Sequence, residues 1–197
     1  MSDAELEERT VAERVVDEDS YLTYKVLTVI DRTGQRHQRQ LIVHPGAVAI
    51  VAVDGGDVLM VRQYRTPAEE VLLELPAGTL DRQPDGSIED PALAGPRELG
   101  EETGYRAASW RLLGSFFTAP GFATELMYLY LATGLEPIDG YAGPEPDENL
   151  ELRRVPIAEA VRLAETGGVR DAKSIAGLFW LQRLLDRGEL AAPTASE

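Results

Sequence analysis

A glycine turn between two apolar runs does most to limit the folds open to this chain. Residues 46–64 read GAVAIVAVDGGDVLMVRQY, in which β-branched runs flank Asp54-Gly55-Gly56-Asp57. β-branched residues favour strands, and a short glycine turn joins antiparallel neighbours. We therefore predict a β-hairpin at 46–64, which places this part of the chain in a sheet.

Further elements follow from apolar periodicity and from the positions of glycine and proline. Strands are predicted within 21–43 (two strands around Thr33-Gly34), 69–78, 111–118, 125–135 and 150–155. Helices are predicted at 89–104, 156–167 and 171–188. Residues 1–19 are expected to form a short helix or a mobile arm. Strands, one central helix, more strands and closing helices predict an α+β domain with α/β/α layers.

The composition of the chain excludes several classes of protein. It has 197 residues, with 34 acidic side chains against 19 basic ones, and no cysteine, so disulfides and thiolate metal sites are excluded. The basic residues form no cluster that could follow a nucleic-acid backbone, so no nucleic-acid partner is expected. No apolar run approaches the ~20 residues of a membrane span. The acidic first twenty residues lack the basic and apolar segments of a secretory signal, and a cytoplasmic location is expected.

A dense acidic segment lies in the central predicted helix. Residues 97–105 read RELGEETGY, and helical spacing puts Glu98, Glu101 and Glu102 on one face. Three adjacent carboxylates repel one another, and a hard divalent cation such as Mg²⁺, which prefers oxygen ligands, removes that repulsion. Arg97 adds a guanidinium suited to holding a carboxylate in place. The alternative for such a run is a solvated acidic face.

This segment and its upstream flank resemble the Nudix box, G-x5-E-x7-R-E-U-x-E-E-x-G-U, in which U is an aliphatic or aromatic residue. Glu89 precedes Arg97 by the required seven residues, and every later position of the box matches through Tyr105. Two departures accompany the match. Ten residues rather than five separate Gly78 from Glu89. Gly95-Pro96 stands where helix formers are usual, so a kink or a second helix start at Pro96 is expected.

Similarity to one branch of the family extends over residues 40–185. The segments VRQYR, LLELPAGTLD and DAKSIAGLFW are similar to bacterial ADP-ribose pyrophosphatases, and Pro120 stands sixteen residues after Gly104, as in those enzymes. The alternative for Pro120-Gly121 is a plain type II turn between strands. The resemblance implies a Nudix fold, an α/β/α sandwich with a mixed central sheet and an N-terminal antiparallel strand region.

The resemblance also implies an activity and a site. The activity is hydrolysis of ADP-ribose to AMP and ribose 5-phosphate with Mg²⁺, or with Mn²⁺ or another divalent cation in its place. The implied metal ligands are the Ala77 carbonyl, Glu98, Glu101 and Glu102. Glu148 is the implied general base, acting with Glu101 and Arg97. The implied substrate contacts are Arg65, Pro120, Gly121 and Glu125.

Several assignments stay open at this point. The register of the acidic loop before residue 150 is loose, so Glu145 and Asp147 are alternatives to Glu148 as the base. The alternative for Arg65 is an ion pair with Glu69 or Glu70. Stacking on adenine needs an aromatic ring, and the unranked candidates are Tyr21, Tyr24 and Phe122. The two histidines, His37 and His44, are not at metal-ligand spacing and are expected to be structural.

The chain is expected to consist of three segments, and two other functions are compatible with its sequence. Residues 1–43 form an N-terminal arm and strands that mediate a homodimer, as the resemblance implies, with a monomer as the alternative. Residues 44–189 are expected to form the Nudix hydrolase domain, and residues 190–197 a disordered tail. The first rival function is hydrolysis of another nucleoside diphosphate derivative, such as a nucleotide sugar, a flavin nucleotide or a dinucleotide. The second is a non-catalytic Nudix-fold ligand sensor, although such proteins tend to lose box acids that this chain keeps.

Overall fold

The structure of the chain, a computed structural model, describes residues 6–143 and 149–190. The strands found in these residues are β1 (Arg9–Glu18), β2 (Thr23–Ile30), β3 (Arg36–Val43), β4 (Ala47–Asp54), β5 (Asp57–Arg65), β6 (Glu70–Glu74), β7 (Ala77–Thr79), β8 (Tyr105–Phe117), β9 (Leu126–Pro137) and β10 (Leu150–Pro156). The helices are α1 (Pro91–Thr103), α2 (Ile157–Thr166) and α3 (Ala172–Asp186). The expected tail after Leu190 lies outside the described residues.

A mixed seven-stranded sheet lies between α1 on one face and α2 with α3 on the other. The strand order is β10-β5-β4-β9-β8, with β6 beside β5 and β7 beside β4. β4 and β9 run parallel, while the other neighbours are antiparallel. The predicted α+β class and the α/β/α layers with a mixed sheet are confirmed.

β4 is the centre of the core because both of its faces are covered. Val48, Ile50 and Ala52 pack in the cluster that includes α1. Ala49 and Val51 pack in the cluster formed with α2 and α3. All five side chains are 0% exposed. A strand buried on both faces needs a continuous apolar run, which is what residues 47–53 supply.

The predicted hairpin of β4 and β5 is confirmed, and it opens into a cleft away from its turn. The two strands pair only between the turn at Gly55-Gly56 and the Ala52–Leu59 pair. Beyond that point β6 pairs with β5, β7 pairs with β4, and Pro76 lies between the two short strands. The Pro76 carbonyl accepts a hydrogen bond from the Ile50 N–H at 2.9 Å. Because proline has no N–H to donate, the short strands break at this residue.

Helix α1 begins and ends where its sequence predicts. Asp90 caps the helix by accepting a hydrogen bond from the Ala92 N–H at 2.9 Å, and Pro91 is the first helical residue. Gly104 ends it in the left-handed region, with φ at 71°. These local signals fix the ends of the helix, and the packing of Ala94 and Leu99 in the core sets which face carries the acidic residues.

The helix runs through Pro96 as one element, so the expected second start is wrong, and the expected kink stays a prediction. Ala94 and Leu99 pack in the core on either side of the proline, and burial of apolar surface outweighs one missing backbone bond. Gly95 has a packing reason, since a Cβ built there would lie 3.1 Å from the Trp110 ring. The neighbouring glycine and proline therefore sit inside a continuous helix.

The N-terminal region is a three-stranded antiparallel sheet of order β1-β2-β3. The two strands predicted around Thr33-Gly34 are confirmed as β2 and β3. The expectation of a helix or a mobile arm is wrong where residues 1–19 are described, because Arg9–Glu18 pairs with β2. Most side chains of β1 are exposed, so the apolar alternation of a buried strand is missing and only the backbone pairing reveals the strand.

Candidate active site

A cavity of about 390 Å³ lies at the open end of the cleft between β4 and β5. Its walls come from β5, β6, β7, the facing ends of β8 and β9, and the first residues of α3. The polar side chains that line it are Arg65, Glu74, Thr79, Thr118, Glu125, Asp171 and Lys173. The lining thus holds two cations beside three carboxylates, and the two cations are the groups that could contact an anionic ligand.

β7 connects this cavity to the acidic face of α1. The Ala77 N–H donates a hydrogen bond to Glu102 Oε2 at 3.0 Å. A Cβ built on Gly78 would lie 1.9 Å from the Glu98 carboxyl carbon, so only glycine leaves room for that carboxylate. Glu98 and Glu102 are 6% and 5% exposed. A solvated acidic face is therefore excluded for these two residues, while Glu101 is more exposed.

Arg97 lies at the centre of the carboxylates and binds three of them. Its Nη2 donates to Glu89 at 2.8 Å, and its Nη1 lies 2.9 Å from oxygens of both Glu98 and Glu101. The Arg97 Nη2 also donates to the Thr79 carbonyl at 3.3 Å. The bonds to Glu89 and the charge of Glu98 hold the pKa of Arg97 above its usual value. Arg97 thus holds Glu89, Glu98 and Glu101, as its predicted role with a carboxylate implies, and offsets part of their mutual repulsion.

The described part of the chain contains no group of three or more histidine, aspartate or glutamate side chains arranged to hold a metal ion. The reason is visible in the contacts, since Arg97 binds Glu98 and Glu101 while Glu102 accepts from Ala77. The donor chemistry still fits a hard divalent cation. Carboxylate and carbonyl oxygens are the ligands that Mg²⁺ prefers, and the space at Gly78 admits the Glu98 carboxylate.

A NUDIX domain model matches residues 43–178, which is more than half of the chain. The chain belongs to the Nudix family. The ADP-ribose pyrophosphatase of Bacillus subtilis (strain 168) is 36% identical over 178 residues, covering 90% of this chain and 94% of that protein. The ADP-ribose pyrophosphatase of Mycobacterium tuberculosis (strain ATCC 25618 / H37Rv) is 39% identical over 167 residues, with 80% and 79% covered. The chain is accordingly a Nudix pyrophosphatase hydrolase.

Other relatives of this Nudix hydrolase carry different names. The methanol dehydrogenase activator of Bacillus methanolicus is 36% identical over 177 residues, covering 89% of this chain and 93% of that protein. Proteins named GDP-mannose pyrophosphatase are 28% identical over 177 residues. A crystal structure of an ADP compounds hydrolase superposes with a TM-score of 0.78 at 22% identity, covering 94% of this chain and 98% of the other. That likeness confirms the Nudix fold.

Arg65 of the Nudix hydrolase lies in the cavity wall, where its partner is Glu74. Arg65 Nε and Nη2 donate to the two oxygens of Glu74, each at 2.8 Å. The alternative pairing with Glu69 or Glu70 is wrong, since Glu70 instead binds Arg170 at 2.6 Å. Burial favours the neutral form of Glu74, but the bonds from Arg65 and the charge of Lys173 outweigh it and hold the pKa of Glu74 below its usual value.

Sequence reasoning missed Glu74 and Lys173. Glu74 is 1% exposed and follows an apolar run, and a charged residue in such a run was the available signal. Lys173 is ninety-nine positions further along the chain and donates to the same carboxylate. A single sequence carries no sign of that contact.

Glu125 lies in the opposite wall of the cavity, as its predicted substrate role requires. Its carboxylate accepts a hydrogen bond from the Thr118 hydroxyl and lies 3.6 Å from His44 Nε2. His44 Nδ1 accepts from the Gly46 N–H at 3.0 Å, which agrees with a structural role. Burial lowers the pKa of His44, and the nearby Glu125 opposes that shift.

The turn at Pro120-Gly121 is exposed and does not contribute to the described cavity lining. The Ala119 carbonyl accepts from the N–H groups of Phe122 and Ala123 at 3.0 and 2.9 Å. Gly121 does not adopt the positive φ that a type II turn requires, so that alternative is wrong. The role of Pro120 and Gly121 in substrate binding stays a prediction.

The predicted general base lies outside the described residues. Glu148 and both of its alternatives, Glu145 and Asp147, fall within residues 144–148.

Among the aromatic candidates, Tyr21 lines a second cavity of about 290 Å³ whose wall includes Thr79, a residue that also lines the first cavity. No helix in residues 6–143 and 149–190 is long and apolar enough to cross a membrane.

Proposed function

We propose that this Nudix hydrolase cleaves ADP-ribose to AMP and ribose 5-phosphate with Mg²⁺. The observation that carries the proposal is that β7 joins a cavity containing two cationic side chains to the carboxylate face of α1. An acidic face for a divalent cation beside a cationic wall suits a diphosphate, which carries negative charge on both phosphates. Two relatives named ADP-ribose pyrophosphatase, at 36% and 39% identity, support this choice of substrate.

The residues that would hold the cation are Glu98, Glu101, Glu102 and the Ala77 carbonyl. A bound divalent cation supplies charge neutralisation at the diphosphate and lowers the pKa of a water molecule. Side chains of the protein orient the metal ligands, bind the phosphate and accept the proton. Arg97 orients Glu98 and Glu101, and Arg65 offers donors to a phosphate from across β7. Glu148 accepts a proton from the attacking water.

Glu148→Gln is expected to lower kcat while KM for ADP-ribose changes little, because a general base acts mainly in the transition state. Steady-state kinetics at saturating Mg²⁺ measure both constants. Glu145→Gln is the matched variant, since it removes the same charge from the same loop. If Glu145→Gln lowers kcat and Glu148→Gln does not, the base is three positions earlier than proposed.

Incubation with ADP-ribose and Mg²⁺, followed by separation of AMP and ribose 5-phosphate, tests the proposed function. GDP-mannose and a flavin dinucleotide in the same assay test the rival substrates. GDP-mannose is the second candidate substrate, because some relatives are named GDP-mannose pyrophosphatase. AMP formation from ADP-ribose at a kcat/KM below that for GDP-mannose would replace the proposed substrate. Binding of ADP-ribose with no turnover of any compound would favour a ligand sensor.

We also propose a homodimer formed through residues 1–43. β1 is a ten-residue edge strand whose side chains are mostly exposed, and such edges pair readily with a second chain. Light scattering at micromolar protein and moderate salt is expected to return twice the chain mass of 21.5 kDa. A mass of one chain under these conditions would rule the dimer out.

The cytoplasm remains the proposed location of the enzyme. The lack of cysteine in the chain supports it, because disulfides belong to oxidising compartments. Fractionation of the cells that express the protein, with detection by antibody, tests the proposal.

A further inference from the structure

The two cations that line the cavity both bind one buried carboxylate, that of Glu74. Glu74 is the last residue of β6 and is 1% exposed, although it lines the cavity. Two cations from other elements, Arg65 on β5 and Lys173 on α3, bind it. A buried carboxylate is costly unless it is paired, so this position is compensated by the same two cations that face the ligand space.

The contact with Arg65 fixes the plane of its guanidinium. Two parallel bonds of 2.8 Å join Nε and Nη2 to the two oxygens of Glu74. A bidentate pair of this kind defines an orientation as well as a distance. The donors of Nη1 are not used by Glu74 and remain to bind a ligand. Arg65 is 39% exposed at its side chain, so the guanidinium can be reached from the cavity.

Residues at the start of α3 position Lys173 for its contact with Glu74. Lys173 Nζ also donates to Asp171 Oδ1 at 2.9 Å, and the same Asp171 oxygen caps α3 by accepting from the Ser174 N–H at 3.0 Å. The buried Ser174 hydroxyl in turn accepts from the Leu75 N–H at 2.7 Å. The end of β6 is therefore tied to the first turn of α3 twice: by the hydrogen bond from the Leu75 N–H to the Ser174 hydroxyl, and by the ion pair of Glu74 with Lys173.

We propose that Glu74 is a positioning residue that holds Arg65 and Lys173 as a two-cation wall for the phosphate groups of the substrate. This inference depends on the proposed function only for the identity of the substrate. It requires of the ligand only that it carries phosphate groups. Arginine and lysine side chains lose much conformational freedom when they bind a ligand. Holding both before the substrate arrives removes that loss from the binding step, so Glu74 acts on affinity rather than on the chemical step.

Glu74→Gln tests the inference because it keeps the size of the side chain. It removes the negative charge and one of the two oxygens that accept hydrogen bonds from Arg65. We expect KM for ADP-ribose to rise about tenfold with kcat little changed, since charge-assisted hydrogen bonds are lost. Glu70→Gln is the matched control: it removes a glutamate from the same strand that also pairs with an arginine, Arg170, away from the cavity. That control is expected to leave both constants unchanged.

A double-mutant cycle separates positioning from a general structural effect. Arg65→Lys retains the charge and loses the planar fork, so it should raise KM by a similar factor. Combining it with Glu74→Gln should give less than the product of the two single effects, because both variants remove the same interaction. Multiplicative effects on KM, or an unchanged KM in Glu74→Gln, would overturn the inference. If Glu74→Gln fails to fold, a normal KM in Arg65→Lys overturns it instead.

Calorimetric titration with inorganic pyrophosphate in the presence of Mg²⁺ distinguishes this inference from the proposed function. We expect the wild-type protein to bind pyrophosphate, and Glu74→Gln to bind it about tenfold more weakly. If the wild type binds pyrophosphate in this way but does not cleave ADP-ribose, the proposed function fails and the two-cation wall stands. If the wild type binds no pyrophosphate, or the variant binds it equally well, the wall does not hold phosphate.

Discussion

Glu102→Gln is expected to lower the turnover of ADP-ribose by at least about a hundredfold, because Glu102 is a proposed metal ligand and the loss of such a charge removes several kcal/mol of stabilisation from the transition state. Glu102 is 5% exposed and accepts a hydrogen bond from the Ala77 N–H. A glutamine keeps an oxygen that accepts the same bond, so the contact with β7 survives. Release of AMP at saturating Mg²⁺ measures the loss.

The fold is expected to remain intact in this variant. Arg97 already offsets repulsion among the carboxylates by binding Glu98 and Glu101, so the free energy of unfolding should change little. Glu159→Gln is the matched control, since it removes a glutamate from another helix where it pairs only locally with Arg162, at 2.6 Å. Turnover by Glu102→Gln close to that of the control would remove Glu102 from the metal site.

Gly78→Ala is expected to have the second largest effect, and to act on turnover rather than on stability. The added Cβ would lie 1.9 Å from the carboxyl carbon of Glu98, so one of the two must move. Gly78 does not have a positive φ, so the backbone accepts alanine, and the atom in the way is the end of a flexible side chain. Displacing a reacting group by about 1 Å costs on the order of a hundredfold in rate.

Gly100→Ala is the control for this variant because it adds the same methyl group to the helix that carries these carboxylates, on the side that faces Ile138. Its Cβ would lie 3.3 Å from the Ile138 Cδ1, a contact that a small side-chain shift relieves. Alanine inside a helix is favoured over glycine by up to about 1 kcal/mol, so this control should melt at the same or a higher temperature. If both variants turn over ADP-ribose at the wild-type rate, the position of the Glu98 carboxylate has no role in the reaction.

The parts of the site that sequence reasoning located are those whose signals are local. Asp90, Pro91 and Gly104 define both ends of α1, and this fixes which glutamates share a face. The apolar runs around Gly55-Gly56 are equally local, because a strand covered on both faces shows its burial in its own residues. Such features need no knowledge of what the rest of the chain does.

The parts that were missed depend on contacts between distant residues. Glu74 and Lys173 meet only because β6 ends at the first turn of α3. β1 has mostly exposed side chains, and its structure comes from pairing with β2. A second helix start was one of the two outcomes expected at Pro96, and core packing keeps the helix whole there. In each case tertiary context outweighs the local preference.

The short strand β7 limits how this enzyme can change its choice of substrate over evolution. Its three residues line the cavity proposed to bind substrate, while two of them also contact Glu98 and Glu102. A larger side chain introduced there to reshape the cavity would shift the acidic groups at the same time. New specificities are therefore more accessible through Thr118, Glu125 and the residues that begin α3, which line the cavity from other elements. Relatives that act on different nucleoside diphosphates should diverge at those walls and keep alanine and glycine in this strand.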